Sequence, residues 1–301
     1  MTQRITPNIW CDRTAEQAGA FYASVFDDTT SRVTARYPSE GLPEFQRDFA
    51  GEAVMVDVVL RGYRFSLINA DATFAPNPSI SFLVTADPRD FDGDEHAARG
   101  WINRIWTALA EEGRVLMDIG EYPYSGLYGW VEDKFGMSWQ LKLAAAGADP
   151  VPPVVPMLMF GDGVQNRAAE AVELYTGLFP DAGVGRVVTY PVTTSAEPVG
   201  AVMYADFRLA GQTFAVMDSQ MDQDFTFTPG VSLLVDCDGQ DEIDRLWDAL
   251  TAVPEAEQCG WLADRFGVSW QIVPANMAEL MQRPNAYAHM MAMKKLIIAD
   301  F

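Results

Sequence analysis

One fourteen-residue sentence occurs twice in this chain, as YGWVEDKFGMSWQL at 128–141 and CGWLADRFGVSWQI at 259–272, identical at eight positions. Internal repetition constrains a fold more than any other sequence feature, because a duplicated unit must bury equivalent faces twice. The repeat reaches far upstream. AEQAGAFYASVF (15–26) matches AEAVELYTGLF (169–179), both with helical apolar spacing and each preceded by a strand-like run, ITPNIWC (5–11) and VVPMLMF (154–160). VMVDVVLRGYRFSLIN (54–69) and VMYADFRLAGQTFAVMD (202–218) read as strand, glycine turn, strand, about Gly62 and Gly211. SISFLV (79–84) answers GVSLLV (230–235), and amphipathic helices at 100–113 and 241–253 set Trp106 opposite Trp247. Each copy therefore reads as strand, helix, two hairpin strands, strand, second helix, last strand.

These matches divide the chain into a first module at 1–145, a small, Pro-rich linker at 146–153, a second module at 154–274 and a tail at 275–301. The tail has no counterpart in the first copy and reads as two short helices broken at Pro284. Two stretches of the first copy are longer than their equivalents. One is the acidic loop DPRDFDGDEHAARG; the other, GRVLMDIGEYPYSGLYG, is long enough to add a strand and a lid loop. Glu121 and Tyr124 lie in that second stretch, either as groups over a ligand cavity or as members of an ordinary solvated loop.

Apolar residues make up 49% of the chain, enough to fold unaided. A net charge of −21, from 42 acidic and 21 basic residues, repels nucleic acid and anionic membrane surfaces, so neither is expected as a partner. No apolar run approaches the roughly 20 residues that span a bilayer, and the first residues turn polar too soon for a signal peptide. The three scattered cysteines suit a reducing cytoplasm, with Cys11 read as a core or edge thiol. GDGVQN (161–166) lacks the third small residue of a dinucleotide loop, and a simple turn before a helix explains it better.

With DxFGxSWQ endings, Gly-Trp pairs and Phe-Tyr helix ends in this order, the chain resembles the PhnB-like, 3-demethylubiquinone-9 3-methyltransferase-like branch of the vicinal oxygen chelate superfamily. That superfamily includes glyoxalase I, bleomycin-resistance proteins and extradiol dioxygenases. The resemblance covers nearly the whole chain, including the Met- and Lys-rich tail. It implies an α+β fold: two tandem βαβββ (glyoxalase-like) modules whose sheets curl around a cavity, with a C-terminal helical tail. In the superfamily's metalloenzymes a carboxylate four residues after the turn glycine binds a divalent metal. Here Gln140 follows Gly136 and Gln271 follows Gly267. The resemblance puts further ligand slots at Ile5 or Thr6, at Val154 or Val155, and across 67–69 and 216–218, where Asn69 and Asp218 are polar candidates. The two histidines, His96 and His289, fall outside these slots. A divalent metal is therefore disfavoured, and no other cofactor is expected.

Strand alternation sets Met137, Trp139 and Leu141 on one face and Ser138, Gln140 and Lys142 on the other. The Trp face is expected under helices. The Gln face is expected to line the cavity, with Ser138, Gln140, Ser269 and Gln271 pointing inward. Asp57 and Asp206 interrupt apolar strands at equivalent positions, facing either the cavity or solvent. The leading functional expectation is a small apolar or aromatic ligand bound without metal. Two alternatives stand beside it: a divalent-metal lyase, isomerase or dioxygenase, and a regulatory protein whose cavity its own side chains fill. An apolar stripe of Met290, Met291, Met293, Leu296 and Ile297 would pack on the barrel or on a second copy in a homodimer.

Overall fold

In the computed structural model, which describes residues 3–191 and 200–301, the first copy folds as two successive βαβββ units and the second as a βαβββ unit followed by a βαββ unit. The first unit comprises β1 (Ile5–Asp12), α1 (Ala15–Val25), β2 (Thr29–Arg36), β3 (Ala53–Leu60) and β4 (Tyr63–Ala70). The second comprises β5 (Ile80–Ala86), α2 (Glu95–Ala110), β6 (Arg114–Tyr122), β7 (Ser125–Glu132) and β8 (Ser138–Leu143). The second copy repeats this as β9 (Val154–Phe160), α3 (Ala168–Leu178), β10 (Gly183–Thr189), β11 (Val202–Leu209) and β12 (Gln212–Asp218). Its last unit is β13 (Val231–Cys237), α4 (Gln240–Leu250), β14 (Trp261–Ala263) and β15 (Ser269–Pro274). Among the described residues, β6 has no equivalent there, so the longer stretch of the first copy does add a strand. In the tail, α5 (Met277–Leu280) and α6 (Ala286–Ala292) flank Pro284.

The sheets do not respect the copies. The first runs β14-β15-β13-β1-β4-β3-β2 and the second runs β10-β11-β12-β9-β5-β8-β7-β6. Each therefore joins half of one copy to half of the other. The joints are antiparallel: β1 on β13, with Ile5 opposite Val235, and β5 on β9, with Ser81 opposite Met157. The exchange happens within one chain.

The aromatic contacts of the repeated tryptophans, by contrast, stay within their copies, inside one continuous core. Trp139 is 1% exposed and meets Tyr22, Phe26, Phe65 and Phe82, all from the first copy. Trp270, fully buried, meets Tyr175 and Phe179 of the second. Helices and aromatic rings thus fill one face of each sheet, and the other face curls into a trough. Burying a ring of this size contributes about 2–3 kcal/mol relative to exposure, so each Trp anchors the last strand of its copy to that copy's first helix, α1 or α3.

A short turn fixes each anchor. Asp133 Oδ1 accepts the amides of Phe135 (2.8 Å) and Met137 (3.1 Å), while Oδ2 accepts the Trp139 indole N–H (2.8 Å). Asp264 does the same for Phe266, Val268 and Trp270, and also accepts the Tyr175 hydroxyl at 2.6 Å. Gly136 and Gly267 take left-handed conformations (φ +82° and +84°) that close the turn at little steric cost.

Candidate functional site

Strand parity places the candidate residues on two faces. On the trough side of the first sheet, Ser269 (β15), Ser232 (β13), Asn8 (β1), Ser66 (β4) and Asp57 (β3) stand in one transverse row. The second sheet has the equivalent row of Ser138 (β8), Ser81 (β5), Met157 (β9), Ala215 (β12) and Asp206 (β11). Gln271 and Gln140 stand one step further along β15 and β8, opposite Leu234 and Leu83. Ser138, Gln140, Ser269, Gln271, Asp57 and Asp206 therefore share the face turned away from the helices.

Asn69 and Asp218 do not. They have the parity of Phe65 and Leu67 and of Phe214 and Val216, all in the helix-side core. Asn69 Oδ1 accepts the amide of Ala15 at the start of α1 (3.3 Å). Asp218 accepts the amides of Ala168, at the start of α3, and Val202 (3.1 and 2.7 Å). They cap helices instead of lining a trough. The parity that places them was already legible in the strand sequence. Among the slots implied by resemblance, Ile5 likewise belongs to the helix-side core, and Thr6 and Asn8 supply the inward groups of β1.

The two troughs have diverged. The first is polar. Gln271 Nε2 donates to Ser232 Oγ (2.9 Å), Ser66 Oγ to Asp57 Oδ1 (3.2 Å), and Arg64 to Thr6 Oγ1 (2.8 Å) and Asp236 (3.2 Å). Asn8, wholly buried at the centre of the row, finds no partner for either its Oδ1 or its Nδ2. The tail covers one end of this trough. Leu234 and Val273 pack against Leu280, Leu296 and Phe301, and Tyr287 O–H donates to Gln46 Oε1 at the far rim (2.6 Å).

The second trough is lined by apolar and aromatic groups. Leu83, Val155, Met157 and Ala215 form one cluster with Tyr204 and Met217; Tyr128, Trp130 and Met159 form another with Met117, Tyr122, Met217 and Phe225. Tyr204, Met217, Met117, Tyr122 and Phe225 are only half-buried, so the lining is accessible. Gln140 is held between the Tyr128 hydroxyl, which donates to its Oε1 (2.8 Å), and Ser81 Oγ, which accepts from its Nε2 (2.8 Å). Trp130 Nε1 donates to Ser138 Oγ (2.7 Å). Burial pushes the Tyr128 phenol far above its usual range, which keeps it a hydrogen donor. At the tip of the β6–β7 hairpin, Tyr124 is exposed and stacks on Tyr122, whose ring meets Tyr128 edge-on. Glu121 points to solvent.

The inward donors are mostly hydroxyls and neutral amides, Asn8, Ser66, Ser232 and Gln271 in one trough and Ser81 and Gln140 in the other, with one carboxylate in each row, Asp57 and Asp206. Among the described residues no three His, Cys, Asp or Glu side chains converge. Such sets do not fit a transition metal, which calls for imidazole, thiolate or carboxylate donors. A cavity of about 550 Å³ lies elsewhere, beside the linker, lined by Asp28, Arg61, Thr85, Arg89, Asp90 and Val151. Its arginines are already paired with Asp90 and Asp87.

A family model described as 3-demethylubiquinone-9 3-methyltransferase matches residues 3–142 and 152–273. A PhnB protein from Bacillus cereus is 32% identical, over 47% of this chain and 100% of its own length, with a TM-score of 0.39. Glyoxalase I from Zea mays superposes over 92% of this chain and 94% of its own, at 10% identity and a TM-score of 0.53, a likeness of fold. No curated protein matches the chain.

Proposed function

Because this chain belongs to the 3-demethylubiquinone-9 3-methyltransferase family, of the vicinal oxygen chelate fold, we propose that it uses that fold to bind a small apolar or aromatic molecule in the second-sheet trough, without a metal. One observation carries the reading. The face of a sheet turned away from its helices is ordinarily solvated and polar. Here that face carries Tyr128, Trp130, Tyr204, Met157, Met159 and Met217, joined in two clusters, whereas the centre of the equivalent face of the first sheet is the polar row through Asn8, with Trp10, Trp261 and Ile68 beside it. Flexible thioethers beside rigid rings give an adaptable lining, and the Gln140 amide supplies an orienting polar group.

A methyl transfer, which the family's name suggests, would need room for a nucleotide-bearing methyl donor. The Gly161–Gly163 turn before α3 is a weak candidate, because Asp218 occupies that helix start and its charge opposes a phosphate. The metal-dependent alternative requires several converging imidazole, thiolate or carboxylate donors, and each row supplies one carboxylate, Asp57 or Asp206. On our reading the protein works in the cytoplasm, where Cys11, Cys237 and Cys259 remain unpaired thiols. Among the described residues, no helix is long and apolar enough to cross a membrane.

Two measurements test the proposal. Protein purified without chelators should contain less than stoichiometric transition metal by mass spectrometry; one equivalent lost in Gln140→Ala or Gln271→Ala would establish the metal reading instead. Calorimetric titration with the neutral aromatic 2-naphthylmethanol should show saturable binding that Met217→Arg removes.

A further inference from the structure

The chain has four lysines. Three meet carboxylates: Lys134 pairs with Glu112, Lys294 with Glu257, and Lys295 with Asp244. The fourth, Lys142, is half-buried on β8, two residues beyond Gln140 on the same face, flanked across the sheet by Tyr128 and Thr85. Among the described residues it has neither an ion pair nor a hydrogen-bond partner. The charge it senses most is of the same sign. Burial, and then Arg186, pull the Lys142 ammonium below its ordinary pKa.

Arg208 shares the face of Tyr204 and Asp206 on β11 and also lacks an ion pair among the described residues. Two carboxylates lie on this side, and one of them is ion-paired. Asp206 Oδ1 accepts the Arg186 amide (3.2 Å), and Glu132 is paired with Arg114 (3.1 Å). Lys142, Arg186 and Arg208 therefore outnumber Asp206, the one of these two carboxylates without an ion pair among the described residues, in a protein whose net charge is −21. Holding an ammonium half out of water beside a guanidinium costs free energy unless an anion completes the site.

We infer that the second-sheet trough takes an aromatic carboxylate, its charged end held by Lys142 together with Arg186 and its ring lying among the tyrosines and methionines. This rests on the proposed function above and adds the charge of the ligand. Lys142 acts as the point charge at the inner end, and Arg186, exposed on the edge strand β10, closes over the carboxylate from outside. The overall acidity disfavours anions over the surface at large, and cations on this face favour them here.

A matched pair of probes tests this: 2-naphthoate and its neutral counterpart 2-naphthylmethanol, titrated calorimetrically into the whole protein. Naphthoate should bind at least about tenfold more tightly, the scale of one charge-assisted contact. Lys142→Met should reduce naphthoate to the affinity of the alcohol while leaving the alcohol unchanged, and should melt no lower than the wild type because an unpaired buried charge is gone. Arg186→Gln, at an exposed position where folding is not at stake, should cost naphthoate a smaller factor of about three. Equal binding of the two probes to wild type, or a naphthoate preference that survives both substitutions, overturns the anion inference but leaves the apolar trough standing. Binding of neither probe overturns both.

Discussion

Asp133 and Asp264 explain why the same sentence is written twice. The Trp and Gln of each motif were assigned to opposite faces by alternation alone. The aspartate's role was not legible, because its partners are two backbone amides and an indole that meet only once the turn closes. Replacing Asp133 with Ala leaves the Phe135 and Met137 amides and the Trp139 N–H without acceptors. Urea denaturation should then register a loss of about 3 kcal/mol. Burial raises the Asp133 carboxyl from 3.8 to about 6, so the folded state holds this proton more tightly than the unfolded chain. The stabilisation linked to the proton is complete below about pH 3.8 and is lost as pH rises through about 6. Asp133→Asn cannot titrate. Wild-type stability should therefore decline relative to Asp133→Asn across this interval; a constant difference would show a carboxyl that ionises as freely as an exposed one.

Secondary-structure elements were legible in proportion to what they bury. The central strands announced themselves as apolar runs, and the longer stretch of the first copy correctly promised β6. Edge strands β2 and β10 went unread, since most of their residues are exposed and carry no alternation. The tail's break at Pro284 was readable, but its position over the first-sheet trough was not, because an apolar stripe does not say what it will cover. Leu296 is fully buried and packs against the loop at Gly260, where Cys259 N–H and Gly260 N–H donate to the carbonyls of Met293 and Lys294 (2.9 and 2.7 Å). Leu296→Ala should cost about 3 kcal/mol on chemical denaturation. Because the tail covers the first-sheet trough, this change should leave naphthylmethanol binding in the second trough intact. Loss of that binding would mean that the troughs are energetically coupled.

At the scale of the whole molecule, duplication was legible but the exchange of halves was not. Local patterns report which residues are buried, and β1 buries the same side chains whether it pairs with β5 of its own copy or with β13 of the other. What the sequence does carry is the equivalence of SISFLV and GVSLLV, the two strands that meet the first strand of the opposite copy. A fragment of residues 1–145 would keep the Trp139 core but leave β1 and β5 as unpaired, apolar edges. Such edges recruit another chain. Since β5 is the first-copy counterpart of β13, a second fragment can supply the missing partner, β1 of one molecule pairing with β5 of the other in both directions. Light scattering should therefore give twice the fragment mass, and an equimolar mixture with residues 151–301 should divert part of the material into a one-to-one complex. In the intact chain the Ile5–Val235 joint closes a loop spanning most of the molecule, so its formation should be slow relative to the two aromatic cores. A fragment that stays monomeric while showing a native circular-dichroism spectrum and a cooperative melt would sink this account, because each copy would then satisfy its own edges and the exchange would be a consequence of fusion instead of its cause.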